Sequence, residues 1–76
     1  MPKIAPIPWS RLAKIFELDG WRFSRMRGDH CIYVKPGYMR PVVIPRDPLI
    51  AVFIIQNNMR TARMPRERYF ELLTRA

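Results

Sequence analysis

The stretch that decides the fold is Gly20-Trp21-Arg22-Phe23-Ser24-Arg25-Met26-Arg27-Gly28-Asp29-His30-Cys31-Ile32-Tyr33. Apolar and polar residues alternate from Trp21 to Met26, which predicts a half-buried strand with Trp21 and Phe23 on one face. The next three residues, 27–29, predict a turn, and His30 to Lys35 is rich in residues that favour a second strand. Because a short turn joins the two strands, they should pair as an antiparallel hairpin.

The flanking sequence predicts a third strand and helices. Pro36-Gly37 predicts a second turn, followed by a strand over Arg40 to Ile44 that Pro45 closes. Apolar residues spaced i, i+3, i+4 and i+7 from Trp9 predict a helix over about residues 9–19. The apolar run Leu49–Ile55 fits a buried strand or a buried helix.

Its polar continuation favours a helix that begins between Leu49 and Phe53 and ends near Arg63, and a last helix follows Pro65. The fold class predicted is α+β, in the order α-β-β-β-α plus a short terminal helix. The helices should cover one face of a three-stranded antiparallel sheet.

Length and charge bound the function. The 76 residues make one domain, with a Pro-rich arm over residues 1–8 and the folded part over 9–76. The net charge is +8, and eleven of the fourteen basic residues are arginine. A small basic domain points first to nucleic acid, then to an acidic protein, and last to an anionic membrane. A single cysteine, with no signal peptide and no membrane-spanning segment, predicts a cytoplasmic protein.

His30 is the candidate catalytic residue, and it is the only histidine. An imidazole can accept and return a proton near pH 7, which is what metal-free RNA cleavage requires. Strict alternation also places His30 with Ile32 and Val34, the set predicted to face the core, where a lone histidine is more often structural. Gly28 and Asp29 form the turn that would position it. No cofactor or metal is predicted, since one His, one Cys and scattered acids form no ligand cluster.

Basic residues near the strands are the candidate RNA contacts. They flank the strands at positions where guanidinium and ammonium groups can follow a phosphate backbone, and a solvated surface is the equal alternative. The candidates are Arg22, Arg25, Arg27, Lys35 and Arg40. The arginines after residue 59 are predicted to form a solvated face or a surface for an acidic partner.

The order of motifs resembles a known family. Gly20-Trp21, Gly28-Asp29-His30, Cys31-Ile32-Tyr33, Pro36-Gly37, Val42-Val43-Ile44-Pro45, Arg60 and Tyr69-Phe70-Glu71-Leu72-Leu73 follow the pattern of the HicA toxins. These are the YcfA-like toxins of bacterial toxin–antitoxin modules, and the likeness covers roughly residues 9–74.

This resemblance implies a double-stranded-RNA-binding-like fold and an mRNA interferase, an endoribonuclease that acts without a metal. His30 would be its catalytic histidine, RNA its substrate, and a HicB-like antitoxin its partner, with which it could form an oligomer. Three features depart from the family pattern: Asp29 replaces a serine, Phe53-Ile54-Ile55-Gln56 replaces Gly-Thr-Leu-Arg, and the N-terminal arm is additional. A non-catalytic RNA-binding module and a diverged inactive toxin are therefore the alternatives.

Overall fold

The apolar spacing from Trp9 forms helix α1, Trp9–Leu18, in the computed structural model, which describes residues 2–76. The predicted helix is confirmed, and it ends one residue earlier than expected. The N–H of Gly20 donates to the carbonyl of Glu17, and the N–H of Trp21 donates to the carbonyl of Phe16. This pattern requires a left-handed residue, and Gly20 supplies it with a φ of +96°. The chain therefore turns directly from α1 into the sheet.

The three predicted strands are confirmed as β1, Arg22–Arg27, β2, His30–Val34, and β3, Val42–Pro45. They form one antiparallel sheet in the order β1-β2-β3. Five boundaries differ from the prediction by one or two residues: β1 begins and ends one residue later, β2 ends one residue earlier, and β3 begins two residues later and ends one residue later. Arg27 belongs to β1 because it pairs directly with His30 across the turn, and Arg40 lies in the loop before β3. Pro41 has no N–H to donate, so it cannot take an interior place in the ladder.

The apolar run 49–55 forms an isolated β-bridge and then the first turn of a helix. Ile50 pairs with Ile7 of the N-terminal arm, and α2 then spans Val52–Ala62. The helix interpretation is confirmed in its start and its end. The side-chain amide of Asn58 donates to the carbonyl of Val43 at 3.1 Å, which joins α2 to β3. The terminal helix α3, Arg66–Leu73, follows Pro65 as predicted.

One face of the sheet, the helix-covered face, joins the hydrophobic core. Cys31 and Tyr33 belong to the core cluster with residues of all three helices. The prediction that His30, Ile32 and Val34 face the core is therefore wrong for His30 and Val34, which are exposed; Ile32 is buried on the opposite side of the sheet, outside this core cluster. Both alternating sets of β2 contain apolar residues, so alternation could not decide between them. The opposite side of the sheet is called the open face below.

The remaining expectations for the fold are met. The α+β class and the order α-β-β-β-α are confirmed, and the arrangement is consistent with a double-stranded-RNA-binding-like fold. Ile4 and Ile7 of the arm are buried in the same core cluster. Within residues 2–76, no helix combines the length and the apolar character needed to cross a bilayer.

Candidate active site on the open face of the sheet

The hairpin turn places His30 at the end of the sheet. Gly28 has a φ of +63°, the positive value that a type II′ turn needs at its first central position. Only Gly28 and Asp29 separate the paired residues Arg27 and His30. The N–H of Arg46 donates to the carbonyl of Asp29 at 3.0 Å, so the segment after β3 holds the turn in place.

His30 is accessible to a ligand. It is the first residue of β2, and it pairs with Arg27 on one side and Pro45 on the other. Its side chain is 49% exposed. Cys31 points to the opposite face, where its Sγ lies 3.5 Å from the Sδ of Met26. Cys31 and His30 therefore lie on different faces, and the two cannot act as a dyad.

A β-bulge at Ser24 gathers the arginines of β1 on the open face. Phe23 pairs with Tyr33 and Arg25 pairs with Ile32, so Ser24 has no partner in the register. Strict alternation would have placed Arg22 on the opposite side from Arg25 and Arg27. Because the bulge takes up one residue, all three arginines lie on the face that carries His30.

The bulge also resolves the position of Phe23. Its ring packs edge-on against Tyr33 at 5.8 Å between centroids, on the helix-covered face. It is nevertheless 51% exposed, because the core does not extend over all of the edge strand β1. The prediction of a half-buried strand that carries Trp21 and Phe23 on one face is thus only partly correct. Trp21 is buried in the core but precedes β1, and Phe23 lies in β1 but is half-exposed.

The nearest of the three arginines to His30 is Arg27. Directly opposed residues of an antiparallel pair have Cβ atoms about 5 Å apart, and the diagonal neighbour Arg25 lies at about 7–8 Å. Arg22 pairs with Val34 and lies at the other end of the strand. Among residues 2–76, no carboxylate lies within ion-pair distance of these three guanidinium groups. Their charge is available to an anion.

Asp29 adds one negative charge to the site. Its Oδ1 lies 3.8 Å from the Nδ1 of His30, and its side chain is 78% exposed. This distance is too long for a hydrogen bond, and it supports an ion pair only when the imidazole is protonated. The negative charge of the carboxylate opposes an approaching phosphate.

Lys35 and Arg40 are not brought together with His30. The Nζ of Lys35 donates to the carbonyl of Asp19 at 2.7 Å and lies 5.4 Å from the centroid of the Tyr38 ring. Lys35 thus fastens the end of α1 to the end of β2. Arg40 lies in the β2–β3 loop, at the end of the sheet opposite the hairpin turn.

Tyr33 is the other titratable side chain of β2 that a mechanism could use. Its hydroxyl donates to Oε2 of Glu17 at 3.4 Å. Burial, followed by the negative charge of Glu17, raises the pKa of Tyr33 to about 12. Tyr33 therefore remains a neutral phenol near neutral pH, on the helix-covered face.

Sequence reasoning missed a second basic site. Arg60 and Arg63 line one cleft together with Arg40. Arg40 lies twenty or more positions before the other two in the chain, so no local pattern joins it to them. In the part of the chain that the structure describes, no three His, Cys, Asp or Glu side chains are grouped as metal ligands.

The comparison with protein families identifies the chain. The family described as HicA toxin of bacterial toxin–antitoxin matches residues 9–64, which include the hairpin, His30 and α2. The chain belongs to the HicA toxin family. Searches of curated proteins and of solved structures gave no match. Membership in the HicA family implies a toxin–antitoxin context, in which the partner is an antitoxin.

Proposed function

We propose that this HicA family member is a metal-independent endoribonuclease that cleaves mRNA, with His30 as its general acid and base. The observation that carries the proposal is the position of His30, half-exposed on the open face and directly opposite Arg27. A structural histidine would be expected on the helix-covered face among the core residues. His30 instead lies where an RNA strand can reach its imidazole.

The chemistry follows from these groups. The imidazole of His30 accepts the proton of a ribose 2′-hydroxyl, whose oxygen then forms a bond to the adjacent phosphorus. The bond from phosphorus to the 5′-oxygen breaks, and the protonated imidazole returns its proton to that leaving oxygen. The guanidinium of Arg27 stabilises the additional negative charge on the phosphoryl oxygens. Because the nucleophile is the 2′-hydroxyl, DNA would not be cleaved.

The other arginines of β1 supply binding. Arg22 and Arg25 share the open face with His30 and have no carboxylate partner within residues 2–76. A guanidinium group can contact a phosphate through two parallel hydrogen bonds. Arg25 is therefore placed to contact the phosphate next to the scissile one, and Arg22 a phosphate further along.

Asp29 favours a second candidate function. Its exposed carboxylate lies beside His30 and opposes the binding of a phosphate at that position. A chain with this residue would suit a non-catalytic RNA-binding module of the same fold, or a diverged toxin that has lost its activity. Both alternatives keep the basic open face and differ from the first proposal only in whether the RNA strand is cut.

Strand scission is therefore the decisive experiment. A long single-stranded RNA is incubated in EDTA with the wild type, with His30→Gln, and with Lys14→Gln as a control on the exposed side of α1. We expect fragments with the wild type and the control, and a rate lower by about 10² to 10⁴ with His30→Gln, since this is the usual contribution of a general acid or base. The same sequence as DNA should remain intact.

Two results would contradict the proposal. Cleavage that EDTA abolishes would show that a metal performs the chemistry. Intact RNA with the wild type, from protein that still binds it, would support the binding module. Recovery of cleavage in Asp29→Ser would then identify a diverged toxin rather than a module.

A further inference from the structure

A basic cleft lies at the end of the sheet opposite His30. It has a volume of about 490 Å³ and forms between the β2–β3 loop and the last turns of α2. β2 separates it from His30 by about 13 Å, at a rise of about 3.3 Å per residue over the strand. The cleft is lined in part by the side chains of Tyr38, Arg40, Asn57, Arg60 and Arg63.

The cleft concentrates positive charge without compensation. Three arginines line it, and among residues 2–76 no aspartate or glutamate does. The carboxylates of Asp19 and Glu71 form ion pairs with Lys35 and Arg68 instead. Three unpaired guanidinium groups around one concave surface repel one another, and an anion bound between them relieves that repulsion.

Two of the arginines are held in place by their neighbours. The Nη1 of Arg60 donates to Oδ1 of Asn57 at 3.1 Å. The guanidinium of Arg63 lies 5.5 Å from the centroid of the Tyr38 ring, which packs on Trp21 at 5.0 Å. Side chains that are ordered before binding lose less conformational entropy when a ligand arrives.

The backbone of Arg63 is a second, independent indication. Arg63 has a φ of 53°, and it ends α2 with the same hydrogen-bond pattern in which Gly20 ends α1. This left-handed position is usually occupied by glycine, because a Cβ is disfavoured there. An arginine at this position therefore adopts a backbone conformation that glycine would adopt at a lower cost in free energy. Strain of this kind is common at ligand sites.

We propose that this cleft binds backbone phosphates of RNA, away from the phosphate that is cut. The inference rests on the proposed RNA substrate and extends it: the RNA would run along the sheet from His30 to the cleft. Arg22 lies at the cleft end of the sheet, where it pairs with Val34. Arginine forks suit phosphate oxygens, and at about 3.4 Å of axis per nucleotide the path covers at least about four nucleotides.

An acidic protein surface would use the same arginines, and the observations favour RNA. The open face supplies a continuous row of arginines that leads from the candidate catalytic residue to the cleft end. An acidic protein would need no such path. The two classes of ligand are separated by the experiment below.

The test compares two variants that each remove three positive charges from the net +8. The cleft variant is Arg40→Gln, Arg60→Gln and Arg63→Gln; the control is Lys3→Gln, Lys14→Gln and Arg75→Gln, none of which lines the cleft. Binding is measured by fluorescence anisotropy at several salt concentrations. The probe is a 2′-O-methyl RNA of about 20 nucleotides, longer than the sites of about 4–16 nucleotides typical of single-strand binders. It cannot be cleaved, so binding is measured separately from catalysis.

We expect the cleft variant to bind this RNA at least about tenfold more weakly than the control. The slope of the logarithm of the binding constant against the logarithm of the salt concentration should also be smaller in magnitude by about 2, because each of the three lost phosphate contacts contributes about 0.7 on a single strand. Equal affinities and slopes for the two variants would overturn the proposal. So would unchanged RNA binding combined with a loss of binding to poly-L-glutamate, which would identify an acidic-protein surface.

Two further measurements keep the result interpretable. Arg63→Gly relieves the backbone rather than straining it, so weaker RNA binding by this folded variant supports the proposal, and unchanged binding counts against it. If the wild type binds RNA through the cleft but cuts none in EDTA, the endonuclease proposal fails while the cleft assignment stands.

Discussion

At one end of the sheet the hairpin turn carries His30 and Asp29, whereas at the other end the β2–β3 loop and α2 carry three arginines and no carboxylate. The first end has the imidazole that we propose transfers protons, set beside a single opposed arginine. The second end has a greater density of positive charge but no acid or base. Turnover requires a site that releases its product, and tight phosphate binding at the point of cleavage would work against this.

The comparison therefore assigns RNA cleavage and RNA affinity to opposite ends of the sheet. The hairpin end should determine whether RNA is cut, and the cleft end should determine how firmly it is held. The exposed Asp29 fits this division, because it weakens phosphate binding only at the end where the product must leave. Changes at His30, Arg63 and Asp29 test this division, and a change at Tyr33 tests the stability of the sheet between the two ends.

Loss of the imidazole should have the largest effect. His30→Gln removes the proton-transfer group and keeps a polar side chain at the site. Single-turnover cleavage should slow by about 10² to 10⁴, while affinity for uncleavable RNA stays near that of the wild type. A parallel fall in affinity would show that His30 mainly binds RNA, and the two ends would then not differ in role.

Alkaline pH should lower the free energy of unfolding, because Tyr33, near the cleft end of β2, loses its proton. The pKa of Tyr33 is raised from 10 to about 12, mainly by burial, so the folded state favours the neutral phenol. Its contribution is complete below pH 10 and disappears as the pH rises from 10 to 12. The loss should amount to about 2 kcal/mol in urea unfolding, at about 1.4 kcal/mol per pKa unit.

Tyr33→Phe is the control for this dependence. The variant should lose less stability between pH 10 and 12 than the wild type. The remaining slope would come from Tyr69, whose pKa burial also raises. An unchanged slope in Tyr33→Phe would show that the phenol of Tyr33 does not titrate with unfolding.

Relief of the backbone at Arg63 should raise stability and lower affinity together. Arg63→Gly places glycine at a φ of 53° and should increase the free energy of unfolding by about 1 kcal/mol. RNA binding should weaken at the same time, because one guanidinium of the cleft is lost. Chemical denaturation and anisotropy measure the two effects. A variant that is less stable than the wild type would mean that the Arg63–Tyr38 contact outweighs the backbone strain.

Replacement of the turn carboxylate should have the smallest effect. Asp29→Ser should raise RNA affinity by about threefold, the range expected for one exposed charge. Glu67→Gln, an exposed acid on α3, removes the same charge elsewhere and should change affinity less. Equal gains in the two variants would reduce the role of Asp29 to a contribution to net charge.

The sequence predicted the elements well because local signals mark them. Gly28 and Gly37 take the positive φ values that their turns require, and the spacing from Trp9 formed α1 as expected. The faces of β2 were harder. Both of its alternating sets contain apolar residues, and the choice between them depends on packing with helices that are distant in the sequence.

The candidate site was predicted in part. His30 and the turn that carries it follow from the local sequence. The alignment of Arg22 with Arg25 and Arg27 does not, because it depends on a bulge that alternation cannot reveal. The cleft depends on three-dimensional proximity: Arg40 and Arg60 become neighbours only when α2 packs beside the β2–β3 loop.

The bulge at Ser24 has a genetic consequence. Loss of a single codon within a strand normally exchanges the two faces for every residue beyond it, because side chains alternate with a period of two. Ser24 has no partner in the register, so its deletion leaves Phe23 opposite Tyr33 and Arg25 opposite Ile32. The same deletion at Phe23 or Met26 would disturb this pairing. Ser24 is thus the position in β1 where the gene can become shorter while every arginine keeps its side.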